Sequence, residues 1–370
     1  MRDRGLPLPQ SLSAYQRQAE EASQVETVPD PPRLDGLNRK PSISPAAADY
    51  VPELPVGYSA RMNRRKALLI GIGYRKHKYL NVLPGCKNDV TAMFNLLTSE
   101  LFGFPQDEVR VLSDELNMLG SVHVQAPTRF NILRDMLWLT EDVGEGDSAV
   151  FFFAGHGDFI EDVSGDEIET GVDQCIMPID CLPEPKHRTG QTFKGVPPIL
   201  DDTIYERLVR GVPAGAKVTA IVDACRSGSV CDLPVMHGDD GVKYRASGGD
   251  PPRQRSSPHK GAGGFVLFSG SADDQQSIDM TIATGRGNGE VESFGVMTRS
   301  FVDAVQEMAM HRCPETYDGV ESWTYGQLFQ RVRELVWERT SSILPHYIEK
   351  QEPQMSTSHT FDTWQAPFSI

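Results

Sequence analysis

A thiol and an imidazole each stand directly behind an apolar run in this chain. Ala149-Val150-Phe151-Phe152-Phe153-Ala154 leads into Gly155-His156-Gly157, and Val218-Thr219-Ala220-Ile221-Val222 leads into Asp223-Ala224-Cys225-Arg226-Ser227-Gly228. A thiol becomes a useful nucleophile when it is ionised or when a neighbouring base removes its proton, and an imidazole can serve either purpose. Cys225 is therefore the candidate nucleophile and His156 its proton-transfer partner. Glycines on both sides of His156 allow a substrate backbone to come close. Attack on a carbonyl also needs donors for the developing oxyanion, and the backbone N–H groups of Gly157 and Cys225 are the expected ones. Taken singly, a histidine or a cysteine after a strand is more often a packing residue. Two strand ends that each carry half of a nucleophile–base pair point to catalysis.

Elements of regular structure must bring those two ends together. Continuous apolar runs at 67–72, 149–154 and 217–224 are strand-sized and read as strands buried on both faces, with further strands at 109–112, 175–179 and 264–269. Helical spacing follows Asn88, with Val90, Met93, Leu97 and Leu101 on one side, and follows Thr128, with Ile132, Met136, Leu139 and Val143. More helices are expected around 202–209, 296–308 and 325–339. This alternation predicts an α/β fold: a doubly wound, mostly parallel β-sheet flanked by helices on both faces, with chemistry at the carboxyl ends of its strands. Residues 1–63, rich in Pro, Ser, Ala and Gln, read as a flexible leader. Residues 64–235 form the larger catalytic part with His156 and Cys225, 236–263 a flexible basic Gly/Pro linker, and 264–370 a smaller part that completes the same sheet.

The bulk composition narrows the partners. A formal charge of −15 and a pI near 5.1 argue against nucleic acid and suit cationic substrates or cations. No apolar run approaches the roughly 18 residues that would span a bilayer, so no membrane partner is expected. Six cysteines are scattered with no apolar signal region behind the first residues, which suggests a reducing compartment and a cytoplasmic or nuclear location. Rival chemistries fit poorly. A thiol phosphatase would need an arginine six places after Cys225, where Cys231 stands. Gly71-Ile72-Gly73-Tyr74-Arg75-Lys76 lacks the third glycine of a dinucleotide turn, and no cysteine or histidine set has zinc spacing.

Several blocks together resemble a type I metacaspase of the fungal kind, a caspase-like cysteine peptidase. They are Phe153-Ala154-Gly155-His156-Gly157; Gly165-Asp166-Glu167 followed by the segment from Gly171 to Asp180; and the segment from Asp223 to Pro234. Leu83-Pro84-Gly85-Cys86-Lys87-Asn88-Asp89, Ser269-Gly270-Ser271-Ala272-Asp273-Asp274-Gln275 and Pro353-Gln354-Met355-Ser356 add to the likeness, which runs from about residue 66 to the end. The resemblance implies a caspase-like fold and a monomeric endopeptidase that cleaves after Arg or Lys through a thioester. It places Cys86, Asp89 and Asp223 in the pocket for the substrate's basic side chain. It implies Ca2+ as cofactor, held by Asp173, Asp201, Asp202 and Asp232 with Asp166 and Glu167 in reserve, and no organic cofactor. Self-processing would fall at Lys243, Arg245, Arg253, Arg255 or Lys260. Three positions depart from the pattern: Ala154 replaces a pocket serine, and Ala224 and Arg226 replace common Ser and His beside the nucleophile. Arg226 could lower the thiol pKa or point to solvent. The alternative reading is a caspase-like scaffold that acts by binding, in protein quality control or cell-death signalling, with weak or no peptidase activity.

Overall fold

Strands whose residues are apolar on both faces are stable only where both faces are covered, and the strongest runs here lie side by side in the middle of the sheet. The computed structural model describes residues 63–120, 122–162, 171–182, 195–238, 241–244, 264–283, 291–310, 323–343 and 351–370. These belong to the unit Arg61–Ile370. All but the last residue of the expected leader lie outside the described residues.

In chain order the strands are β1 (Arg65–Gly71), β2 (Val109–Ser113), β3 (Val124–Gln125), β4 (Ser148–Ala154), β5 (Gly157–Glu161), β6 (Val172–Ile176), β7 (Ile199–Leu200), β8 (Lys217–Asp223), β9 (Val235–Gly238), β10 (Gly241–Tyr244), β11 (Gly264–Ser269), β12 (Asp279–Ala283), β13 (Val291–Gly295) and β14 (Gln354–Thr357). The helices are α1 (Cys86–Thr98), α2 (Arg129–Thr140), α3 (Asp201–Ile204), α4 (Val296–Met310) and α5 (Tyr325–Ile343). Nine strands form one sheet in the order β10-β9-β14-β11-β8-β4-β1-β2-β3. From β11 to β3 every pairing is parallel, and β14, β9 and β10 add an antiparallel edge. The sheet is thus the mostly parallel one that the alternation predicts.

Alternate side chains of each strand enter opposite cores, as the two-residue period requires. Leu69, Val150, Phe152, Ile221 and Phe268 meet Val90 and Met93 of α1, Phe301 and Val305 of α4, and Leu328 and Val332 of α5. Leu68, Ile70, Phe151, Phe153, Val222 and Leu267 meet Ile132, Met136 and Leu139 of α2 together with Leu208. Helix α2 starts where expected because the Thr128 hydroxyl accepts the Asn131 N–H at 3.3 Å.

Several local expectations are corrected. The stretch from Met236, read as a loop, carries β9 and β10; alternation there spans only a few residues among Gly and Asp and is too short to register. The residues after His156, for which no strand is expected, form β5, which pairs with β6, and β6 with β7, in a separate three-stranded sheet. The strand expected at 175–179 begins and ends earlier, at Val172–Ile176. Leu101 and Val143 lie beyond the ends of their helices. The helix expected around 202–209 is one α-turn, α3, continuing as a π-helix over Tyr205–Val209. The β12–β13 hairpin and β14 were not anticipated.

Phe152 is fully buried at the centre of one core. Phe152→Ala should lower unfolding stability by about 3–5 kcal/mol in urea titration; a loss below about 1 kcal/mol would contradict this packing.

Candidate active site

Strands β4 and β8 are parallel neighbours, with Ala154 opposite Asp223 as the last pair of their register. Two residues beyond that pair stand His156 on one chain and Cys225 on the other. The strand ends remain in contact past the ladder: the Gly155 N–H donates to the Asp223 carbonyl at 3.3 Å, and a Cβ on Gly157 would collide with the Cys225 carbonyl oxygen. Only glycine fits at 157. Both His156 and Cys225 are half-buried, shielded yet reachable. Arg226 adopts the left-handed backbone region at φ 55°, turning the chain sharply after the nucleophile.

The imidazole is held in a definite state. Its Nε2 lies 2.8 Å from the Asn81 carbonyl oxygen, which can only accept a hydrogen bond. Nε2 therefore carries the proton, and Nδ1 is the basic nitrogen of the neutral ring. Tyr74 fixes the backbone beneath. Its buried hydroxyl donates to the Met177 carbonyl at 2.5 Å and accepts the His156 N–H at 3.2 Å, and its ring lies 4.7 Å from the imidazole, centroid to centroid. The tyrosine hydroxyl thus bridges the β5–β6 ladder where His156 enters it, while the Met177 N–H donates to the His156 carbonyl. With 156 and 177 as the bonded pair, Gly157 and Ile176 form the next, non-bonded pair. That register turns the Gly157 N–H away from β6. Gly157 is the first residue of β5.

Burial pushes the Cys225 thiol up, with a hydrogen bond to the Ser277 carbonyl at 3.7 Å and Arg226 as smaller opposing influences. Of the two roles open to Arg226, neither dominates. Its guanidinium stacks on Phe159, 4.4 Å from the ring centroid, and donates to the Asp273 carbonyl at 3.1 Å. Ionisation of this thiol near neutral pH therefore calls for a base to take its proton.

Near the thiol lie two buried carboxylates, Asp89 and Asp223. Asp89 and Asp223 are 2% and 6% exposed, and an ideal Cβ on Gly295 would sit between them, 3.0 Å from Asp89 Oδ2. Asp89 accepts the Gly295 N–H on both oxygens at 3.0 Å. Asp223 accepts the N–H and hydroxyl of Thr298, both at 2.8 Å, and the hydroxyl of Ser277. Burial, with Asp223 next, pushes the Asp89 carboxyl well up; burial raises Asp223 against its three hydrogen bonds. Buried Cys86 is raised by burial and then by the charges of Asp89, Asp279 and Asp223. The structure thus brings Cys86, Asp89 and Asp223 together. Ala154 is buried in the adjoining core, while the hydroxyls of Ser277 and Thr298 bond to Asp223. Sequence reasoning missed Tyr74, Asn81, Ser277, Thr298 and Asp279.

The four expected calcium residues lie on other elements. Asp173 and Asp201 are 1% and 2% exposed, on β6 and α3, and Asp232 follows the nucleophile loop in a left-handed conformation at φ 44°. Asp201 accepts the Gln174 and Asp202 N–H groups, and burial, then Asp232 and, more weakly, Asp173, pushes its carboxyl up to about 9. Hard oxygen donors that repel one another fit calcium by chemistry. Among the described residues no three His, Cys, Asp or Glu side chains converge closely enough to hold an ion as they stand. Asp166, Glu167 and the basic residues Arg245, Arg253, Arg255 and Lys260 lie outside the described residues. Lys243 is an exposed residue of β10.

No helix among the described residues is long and apolar enough to cross a membrane. Residues 65–234 match the profile of the metacaspase peptidase C14 domain. The chain is similar to Metacaspase-1 of Candida glabrata, at 32% identity over 82% of this chain and 75% of that protein. It is also similar to Metacaspase-1B of Neurospora crassa, at 31% identity over 86% and 71%. A solved caspase-1 from Spodoptera frugiperda aligns with a TM-score of 0.44 at 12% identity, over 83% and 93%.

Tyr74→Phe keeps the ring and removes the bridge between the His156 N–H and the Met177 carbonyl. Peptidase kcat should fall about tenfold with KM little changed, alongside a stability loss of about 1–3 kcal/mol. A stability loss with kcat intact would make Tyr74 a packing residue only.

Proposed function

The chain belongs to the metacaspase family of cysteine endopeptidases, and from that premise we propose that it cleaves peptide bonds after arginine or lysine through a Cys225–His156 dyad. His156 Nδ1 takes the Cys225 proton as the sulfur attacks the scissile carbonyl carbon. The oxyanion accepts the N–H groups of Gly157 and Cys225. Collapse of this adduct breaks the C–N bond, the imidazolium returns its proton to the leaving amine, and a thioester remains. Water, deprotonated by the same imidazole, then releases the carboxyl product and the free thiol.

The observation that carries the basic preference is the pair of buried carboxylates, Asp89 and Asp223, one hydrogen-bond step from the nucleophile. Ser277 links Asp223 to the thiol, since its carbonyl accepts from Cys225 and its hydroxyl donates to Asp223, and Asp89 lies on the far side of Gly295. Like charges packed this closely raise each other's pKa, and a guanidinium or ammonium relieves both. An aspartate side chain from a substrate would add a third negative charge.

Asp173, Asp201, Asp202 and Asp232 would hold calcium. The ion would neutralise a repulsion that the fold otherwise carries, tying β6 and α3 to the loop that follows Cys225. The exposed edge position of Lys243 supports self-processing in the 236–263 segment, and the acidic charge of the chain supports cationic partners over nucleic acid.

Wild type and Cys225→Ala should be compared on fluorogenic peptides ending in Arg, Lys or Asp, with and without calcium, and by gel for self-cleavage. Cleavage after Arg and Lys, stimulated by calcium and abolished with self-processing in Cys225→Ala, is expected. Activity that survives the substitution, or appears only after Asp, would contradict the assignment. Complete inactivity of the wild type would favour a binding scaffold. Calcium should also raise the wild-type melting temperature, by mass action on the folded state; an equal rise in Asp201→Asn would remove Asp201 from the ion site.

A further inference from the structure

The β12–β13 hairpin brings a third carboxylate close to Asp89 and Asp223. Asp279 is the cross-strand partner of Gly295, the residue whose N–H is bound by Asp89. Its Oδ2 accepts the Gly85 N–H at 3.1 Å, at the residue that opens α1 ahead of Cys86 and Asp89. Its Oδ1 is buried and takes no hydrogen bond among the described residues. The glycines at 85 and 295 leave the room: a Cβ on Gly85 would collide with Asp279 Oδ1, and one on Gly295 would collide with Asp223. Asp279 in turn feels Asp223, and Asp89 feels Asp279, so the three carboxylates share one environment. Among the described residues none of the three takes part in an ion pair with lysine or arginine.

The three differ in what they have left to offer. Asp223 spends its oxygens on Ser277 and Thr298, and both oxygens of Asp89 face one amide. Asp279 alone keeps a buried carboxylate oxygen without a donor. An unpaired buried acceptor is costly unless something brings a donor to it. A guanidinium has five N–H groups in a planar fork, enough to reach a second carboxylate while bound to the first, whereas an ammonium is a single point of charge. We propose that Asp279 is a specificity-determining residue of the P1 pocket, whose free Oδ1 accepts from the substrate's arginine and favours arginine over lysine. Ser277-Ile278-Asp279 then forms one wall, with the residue that contacts the nucleophile at one end and the residue that selects the side chain at the other.

This inference rests on the basic P1 reading above, and the experiment separates the two. Asp279→Asn is nearly isosteric and retains a carbonyl oxygen for the Gly85 N–H, so a purely structural role survives it. The readout is kcat/KM on matched peptides carrying Arg, Lys or citrulline at P1, citrulline being the uncharged counterpart of arginine. Ratios between substrates are independent of how much enzyme is folded. In the wild type Arg should exceed both Lys and citrulline; in Asp279→Asn the Arg/citrulline ratio should drop about tenfold, with the Arg/Lys ratio falling towards unity. The change should lie mainly in KM, with a parallel weakening of benzamidine as a competitive inhibitor. Unchanged ratios in the variant, against a wild type that does prefer Arg, would overturn the role of Asp279 and leave the basic pocket standing. A wild type that does not distinguish Arg from citrulline would overturn the pocket reading, and this inference with it.

Discussion

Parallel pairing of β4 with β8 is the constraint on which the remaining geometry hangs. Seven consecutive pairs, from Ser148 with Lys217 to Ala154 with Asp223, fix the two chains in register before either reaches a chemically active residue. Because successive side chains point to opposite faces, a slip of one residue would send Phe151 and Phe153 into the core now filled by Phe152. Packing on both faces therefore enforces the pairing that sets the strand ends carrying His156 and Cys225 side by side. The site needs no dedicated scaffold beyond this, only glycine at 157 to let the chains touch and a sharp turn at Arg226 to end the second strand.

Around that frame the protein accumulates buried charge. Asp89 and Asp223 are withdrawn from water, close to each other and to Asp279, and burial raises the pKa of each. Such an arrangement opposes folding and is offset only partly by donors from Gly295, Thr298, Ser277 and Gly85. Stability given up in a pocket is a familiar sign that binding recovers it. The second acidic group, with Asp201 pushed up to about 9, has the same buried character on other elements of the fold. Under the proposed function each group would gain a positive charge, one from a substrate side chain and one from an ion.

How much of this was legible beforehand depends on how strongly each residue marks its own backbone. Strands β1, β4 and β8 announce themselves by unbroken apolar runs, and the residues that follow them could be placed at strand ends without coordinates. Asp89 and Cys86 could be assigned only through family likeness, because a carboxylate in the first turn of a helix is ordinarily a macrodipole effect. Asp279 gave no signal: β12 and β13 form a half-exposed two-stranded ribbon in a mixed polar stretch, with no hydrophobic period to place its faces. Asn81 acts through its carbonyl oxygen, which no side-chain pattern can reveal. Tyr74 follows Gly71-Ile72-Gly73, which lacks the third glycine of a dinucleotide turn and carries no other mark of function. Its left-handed backbone, at φ 52°, and its bridging hydroxyl emerge only when β5 is seen to pair with β6.

The most direct measurement is the pH dependence of Cys225 labelling by iodoacetamide, followed by mass spectrometry, in the wild type and in His156→Ala. A half-buried thiol raised above its ordinary value should react slowly at neutral pH unless the imidazole draws off its proton. Wild type should therefore label readily through neutral pH, while His156→Ala should label only as the pH climbs above about 8.5, the ordinary thiol range. Superimposable profiles for the two proteins would show that residue 156 does not act on the sulfur.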